Sequence, residues 1–98
     1  MDLRLTRRAE RDLLDIWMHV ARERPTTASD VLRRIDRQCR SLAASPGLGR
    51  HRPDLREGVR SFVVERWLIV YRVEKDAVVI SRALDGARDL HSVQLPRR

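Results

Sequence analysis

The period of the apolar positions changes along this chain of 98 residues, and the changes mark out its elements. In "DLRL", residues 2–5, polar and apolar side chains alternate, which is the period of a short strand. Ala9, Leu13, Ile16, Trp17, Val20 and Ala21 then recur at helical spacing and share one face. Thr6 stands just before them, and its hydroxyl is suited to accept a backbone N–H at the helix start. Pro25 in "ERPTT" cannot continue a helix interior, so the helix stops there. A second helix starts near Thr26 or Thr27 and carries the stripe Ala28, Val31, Leu32, Ile35, Cys39 and Leu42. Pro46 and the two glycines of "SPGLG", residues 45–49, end it. Only a few residues join the two helices, which makes them an antiparallel hairpin.

Residues 45–58, "SPGLGRHRPDLREG", form the longest irregular stretch. Loops of this length in small domains tend to be functional or held by their own side chains, and Leu48 and Leu55 are the candidate pins. Beyond it the period becomes two. "VRSFVV" (59–64), "WLIVYRV" (67–73) and "AVVISRAL" (77–84) are β-branched and aromatic runs split by very short polar connections. Such connections favour an antiparallel meander. In the middle run Trp67, Ile69, Tyr71 and Val73 share one face, and Leu68, Val70 and Arg72 share the other. Both faces are apolar except at Arg72, so this is a central strand covered on both sides. The tail "DGARDLHSVQL" (85–95) reads as a short last helix with Ala87, Leu90 and Val93 facing in. The result is an α+β domain of order β-α-α-β-β-β, a helical hairpin packed on a mostly antiparallel sheet, in one domain over residues 1–98.

Charge sharpens this picture. The chain carries 21 basic residues against 14 acidic ones, a net charge of +7, and every basic residue except Lys75 is arginine. The excess is spread over both halves, so no segment is a dedicated basic tail. Arginine forks onto carboxylates and phosphates and stays charged, so an acidic partner is implied. Cys39 is the only cysteine, which leaves no internal disulfide, and its place on the apolar stripe makes it a small core residue. No apolar run is long enough to span a membrane, and the first residues lack a continuous apolar signal core. A cytoplasmic protein is the expectation.

The chemistry on offer is sparse. His19, His51 and His91 lie far apart in sequence, and a single cysteine does not build a zinc site. No phosphate-binding glycine loop and no serine elbow is present, and neither metal nor cofactor is expected. His51, between Arg50 and Arg52, and His91, in the tail, are each candidate general bases if a phosphate comes near; taken singly, each fits a solvated or structural role better. Arg82 sits in an otherwise apolar strand, so its guanidinium must leave at an edge or meet a carboxylate. Asp85 and Asp89 are the nearby candidates, and a structural ion pair is the simpler reading.

Taken together, "LTRRAERDLLDIW", "SPGLGRHRPDL", "VRSFVVERWLIVYRV" and "GARDL" resemble the toxins of type II toxin–antitoxin modules in the ParE/RelE superfamily, and most of all its ParE branch. The resemblance implies the α+β fold already read from the periods. It also implies a cognate antitoxin encoded alongside, whose acidic C-terminal segment wraps the toxin in a hetero-oligomer. The net charge then has a complementary partner.

The two branches differ in what they do to the cell. Relatives of the RelE kind cut mRNA on the ribosome, which needs a base, an acid and cations on the phosphate. Where that branch has a lysine, an arginine and a tail tyrosine, this chain has Ser61, Leu68 and Gln94; Arg88 alone matches. The ribonuclease alternative would rest on His51, Arg88 and His91. Relatives of the ParE kind poison DNA gyrase without a catalytic residue of their own. The resemblance therefore implies a non-enzymatic gyrase inhibitor, with Arg60, Arg72, Arg82, Arg88 and Asp89 as candidate contacts to target or antitoxin. Plain nucleic-acid binding by the arginine surface ranks last, since the sequence offers no clear set of exposed aromatics for stacking.

Overall fold

A computed structural model describes residues 1–86. The chain runs β1 (Asp2–Leu5), α1 (Arg7–Glu23), α2 (Ala28–Ala44), a 3₁₀ turn (Pro46–Leu48), β2 (Arg50–His51), β3 (Val59–Val64), β4 (Trp67–Val73) and β5 (Ala77–Asp85). One five-stranded sheet has the order β1-β5-β4-β3-β2. All its neighbours are antiparallel except β1 and β5. The expected α+β hairpin-on-sheet architecture is therefore present, with β2 as an extra edge strand inside the long loop. Of the stretch 85–95 expected as a last helix, Asp85 is instead the end of β5 and Gly86 a turn, and the rest lies outside the described residues.

Local chemistry accounts for the boundaries. The Thr6 hydroxyl accepts the Ala9 N–H at 3.1 Å and caps α1. The same hydroxyl donates to the Ser81 carbonyl at 3.0 Å, so the cap also ties α1 to β5. Thr27 precedes α2 with no side-chain cap. The β3–β4 turn bends through Glu65, whose φ of 56° is left-handed.

The helices cover one face of the sheet. Ala9, Ile16, Val31, Ile35 and Leu42 pack there with Trp67, Ile69, Tyr71, Val78 and Ile80. The other face holds a smaller cluster of Val59, Leu68, Val70 and Leu84, with Leu55 from the loop laid against it. The two-faced reading of β4 thus stands, except that Val73 at its end is exposed. Two side chains depart from expectation. Trp17 is exposed at the rim of α1 rather than facing in, because Asp12 holds a buried position of that helix. Leu48 is exposed as well, so only Leu55 is an apolar pin of the loop.

Cys39 is buried in the core, and burial pushes its thiol up to about 11, with Asp36 adding to the shift. Reactivity follows the thiolate, so at pH 8 the native thiol should react with a disulfide reagent about 100-fold more slowly than the denatured chain. Absorbance of the released thiol measures this. Equal native and denatured rates would mean that α2 opens freely around Cys39.

Candidate functional site

The loop between α2 and β3 lies at the β2 edge of the sheet, and it is held by hydrogen bonds rather than by bulk. Tyr71 reaches from β4 with its ring fully buried. Its hydroxyl donates to the Pro46 carbonyl and accepts the Gly49 N–H, both at 2.8 Å. Burial pushes this phenol above its usual range, opposed in part by the Gly49 N–H and the Arg60 charge. Tyr71 thus lies on the apolar face expected of it, and the partners of its hydroxyl are loop backbone. Arg60 of β3 adds a third bond, Nη1 to the Gly49 carbonyl at 2.8 Å. These bonds press residues 50–51 against β3, where Arg50 pairs with Ser61 and His51 with Arg60.

Arg52 continues the clamp. It forks onto Asp54 at 2.9 and 3.0 Å and reaches the Ser61 hydroxyl at 3.2 Å. That fork holds the Asp54 carboxyl below the usual carboxylate range. Arg50 and His51 are left exposed side by side on the edge strand. The loop is thus a fixed support for a cation and an imidazole facing solvent.

Arg72 is mostly buried and engaged within the fold: Nε meets Glu74 at 3.0 Å, and Nη1 meets the Ser81 hydroxyl at 3.2 Å. Ser81 is itself out of step. The β4–β5 register runs from Trp67↔Asp85 to Val70↔Arg82 and resumes at Tyr71↔Ile80, which leaves Ser81 as an extra residue in β5. Such a bulge resets the alternation of a strand. Val78 and Ile80 face the helices before it and Ala83 after it, while Leu84 turns to the other face.

At that step Arg82 finds its carboxylate. The partner is Asp12, on α1, and not a neighbour on its own strand. Nε meets Asp12 Oδ2 at 2.7 Å, Nη2 meets Oδ1 at 3.3 Å, and the Ala83 N–H donates to Oδ2 at 3.0 Å. Both side chains are buried. The expected ion pair exists, but its acid comes from 70 positions upstream. Asp85 is taken by Arg66, at 2.7 Å. That guanidinium lies 4.5 Å over the Trp67 ring and 3.4 Å from His19. Nothing in the sequence marked Asp12 except its position on the apolar face of α1, where a lone acid needs a buried cation.

Arg88, Asp89 and His91 lie outside the described residues. Among the described residues no group of histidines, cysteines or acids has the arrangement to hold a metal ion. No helix among them is long and apolar enough to cross a membrane. Ser61 and Leu68 are both buried, Leu68 in the second apolar cluster.

Comparison with known proteins bears on the family and the fold. A family model described as the ParE toxin of the type II toxin–antitoxin system parDE fits residues 3–90. Toxin ParE3 of Caulobacter vibrioides is 48% identical over 63 residues, 64% of this chain and 63% of that protein's length. The match thus spans less than two thirds of that relative. A solved structure described as the chromosomal ParDE TA system from P. aeruginosa aligns with a TM-score of 0.75 at 29% identity, over 85% of this chain and 92% of that one.

Proposed function

The chain belongs to the ParE toxin family of type II toxin–antitoxin systems, and on that footing we propose that it is the toxin of a two-gene module that inhibits DNA gyrase by binding, with no chemical step of its own. In this reading a cognate antitoxin encoded alongside keeps it silent in the cytoplasm. The antitoxin's acidic C-terminal segment wraps the basic toxin in a hetero-oligomer. The observation that carries the reading is the family match over residues 3–90, which spans both helices and the sheet from Leu3 onward. A net charge of +7 supports an acidic partner by complementarity.

Three of the arginines expected to touch target or antitoxin are engaged within the fold. Arg60, Arg72 and Arg82 each already hold an acceptor inside the fold. A cation so engaged is poorly placed to contact a partner. We assign Arg60 and Arg72 to keeping the β2 edge in shape, and Arg82 to joining α1 to the sheet. Contact with gyrase or antitoxin then falls to the exposed Arg50 and His51 on that edge, with Arg88 and Asp89 of the tail.

The test is a gyrase supercoiling assay with purified protein. Supercoiling should be inhibited, or cleaved DNA trapped, and the pair Arg50→Glu and His51→Ala should weaken this about tenfold, the effect of one strong contact. Untouched gyrase, together with mRNA cut at the ribosomal A-site, would overturn the reading. Loss of that cutting in His51→Ala, Arg88→Ala or His91→Ala would establish the ribonuclease in its place.

A further inference from the structure

The side of α2 that faces away from the core carries a row of cations. Arg33, Arg37 and Arg40 follow at spacings of four and three, so they run along one side of the helix. All three are exposed, and the buried Val31, Ile35, Cys39 and Leu42 occupy the opposite side. The ordinary reasons for arginine on a helix explain only part of this row. Arg33 meets Asp30 and Arg40 meets Asp36, pairs of the kind that steady an exposed helix. Arg37 makes no such pair among the described residues. The helix dipole draws cations to a last turn, and the last turn of α2 holds none. From Arg33 to Arg40 the chain has four arginines against one acid, Asp36. The fourth, Arg34, is turned to Glu65 at the β3–β4 turn.

We propose that this row is a contact surface for the phosphate backbone of duplex DNA. A helix rises about 1.5 Å per residue, so the row is about 10 Å long. Each strand of a duplex carries a phosphate about every 3.4 Å of its axis, so about three phosphates meet three guanidiniums. Arginine forks onto phosphate oxygens and stays charged. The pairs with Asp30 and Asp36 are open to water, so they are weak and give way to a phosphate. A protein partner is the poorer occupant. Protein contacts are anchored by apolar and aromatic side chains, and none of the exposed large apolar residues lies on α2. A single strand is poorer as well, because its bases stack on aromatic rings and α2 has none. In a duplex the bases are already stacked, so the backbone asks only for cations. The contact then carries no sequence preference.

The probe is a fluorescein-labelled duplex of about 20 base pairs, read by anisotropy between about 50 and 200 mM salt. Binding should be weak, with Kd on the order of 10 to 100 µM, and three released counterions give a log–log salt slope of about −2.7. The triple variant Arg33→Gln, Arg37→Gln and Arg40→Gln should flatten that slope by about 2.7 and weaken binding about tenfold or more at the lowest salt. Arg37→Gln alone breaks no ion pair, so it tests the row even if the triple variant unfolds, and it should flatten the slope by about 0.9. The control is Arg7→Gln, Arg11→Gln and Arg22→Gln on α1, which removes the same charge elsewhere. It should weaken binding by no more than about threefold, through long-range attraction alone. A polyglutamate chain of equal charge and the single strand should each bind about tenfold more weakly than the duplex, or less.

An unchanged salt slope in Arg37→Gln, or equal loss in the α1 control, would overturn the proposal, the second by showing that net charge alone attracts DNA. Equal binding of polyglutamate would assign the row to an acidic protein segment and overturn it too. So would tighter binding of the single strand, or no binding of the duplex at the lowest salt. These measurements contain DNA and no gyrase, so they stand apart from the target reading. Inhibited gyrase with no duplex binding sinks the α2 surface alone, and untouched gyrase with row-dependent duplex binding sinks the target alone.

Discussion

Replacing Asp12 by alanine is expected to destabilise the fold by roughly 3–5 kcal/mol. The carboxylate accepts two N–H groups of Arg82 and the N–H of Ala83, all within 3.3 Å. Both side chains are out of water. Alanine removes the carboxylate that faces a buried guanidinium, and taking one side out of a desolvated pair costs far more than the pair itself contributes. It also deprives the Ala83 N–H of an acceptor beside the register shift at Ser81. A domain of this size loses about 4–8 °C of Tm per kcal/mol, so thermal unfolding should fall by about 12 °C or more. Asp12→Asn keeps an acceptor but not the charge, and charged hydrogen bonds are about twice as strong as neutral ones. Its Tm should lie between those of wild type and Asp12→Ala. Calorimetry on the three proteins checks the order. A Tm for Asp12→Ala within about 4 °C of wild type would show that α1 is held to the sheet by its apolar contacts alone.

Gly49→Ala is the second large effect, expected at roughly 2–4 kcal/mol from overpacking and lost hydrogen bonds together. A methyl carbon at this glycine would stand 2.5 Å from Cε1 and 2.7 Å from Cζ of Tyr71, and closer still to the hydroxyl oxygen. The φ of Gly49 is −76°, so its backbone conformation suits any residue and the conflict is purely one of space. The Tyr71 ring is fully buried and has nowhere to swing. The loop must lift instead. Lifting breaks the bonds from Tyr71 to Pro46 and Gly49 and the bond from Arg60 to the Gly49 carbonyl. Tyr71→Phe breaks only its own two and should cost roughly 1–3 kcal/mol. The two changes share both Tyr71 bonds, so the double variant should fall well short of the sum. Denaturant unfolding measures all three, and amide exchange at residues 49–51 should speed up in each. Full additivity would mean that glycine is needed there for some reason other than the Tyr71 hydroxyl. The same bonds hold Arg50 and His51 on the sheet edge, so under the gyrase-binding proposal both variants should also weaken inhibition at temperatures where they remain folded.

Some of the candidate site was legible before folding. Arg82 was marked as a cation in an apolar strand that needed an acid, and it has one. Tyr71 was legible as a residue of an apolar face of the central strand, and it is buried there. Neither partner was legible, because Asp12 and the Pro46–Gly49 backbone lie 70 and more than 20 positions away, and the distance that matters is set by packing. Strand β2 was illegible for a related reason. "RHR" has no alternation, and its pairing with β3 depends on the loop being drawn in by Tyr71 and Arg60.

The sequence by itself determined the order of the two helices and of every strand but β2, the hairpin of helices, the three long strands and the two apolar faces of β4. These follow from side-chain period, capping and turn residues, which act over a few neighbouring positions. Only the tertiary structure decided the parallel β1–β5 pairing, the extra residue at Ser81, the partners of the arginines, and the turning of Leu14, Trp17 and Met18 to solvent. A periodic pattern says which side chains share a side of a helix. Which side meets the sheet is settled by what the sheet offers, and here β5 offered Arg82. The acid of α1 went inward to meet it, and Trp17 was left at the rim.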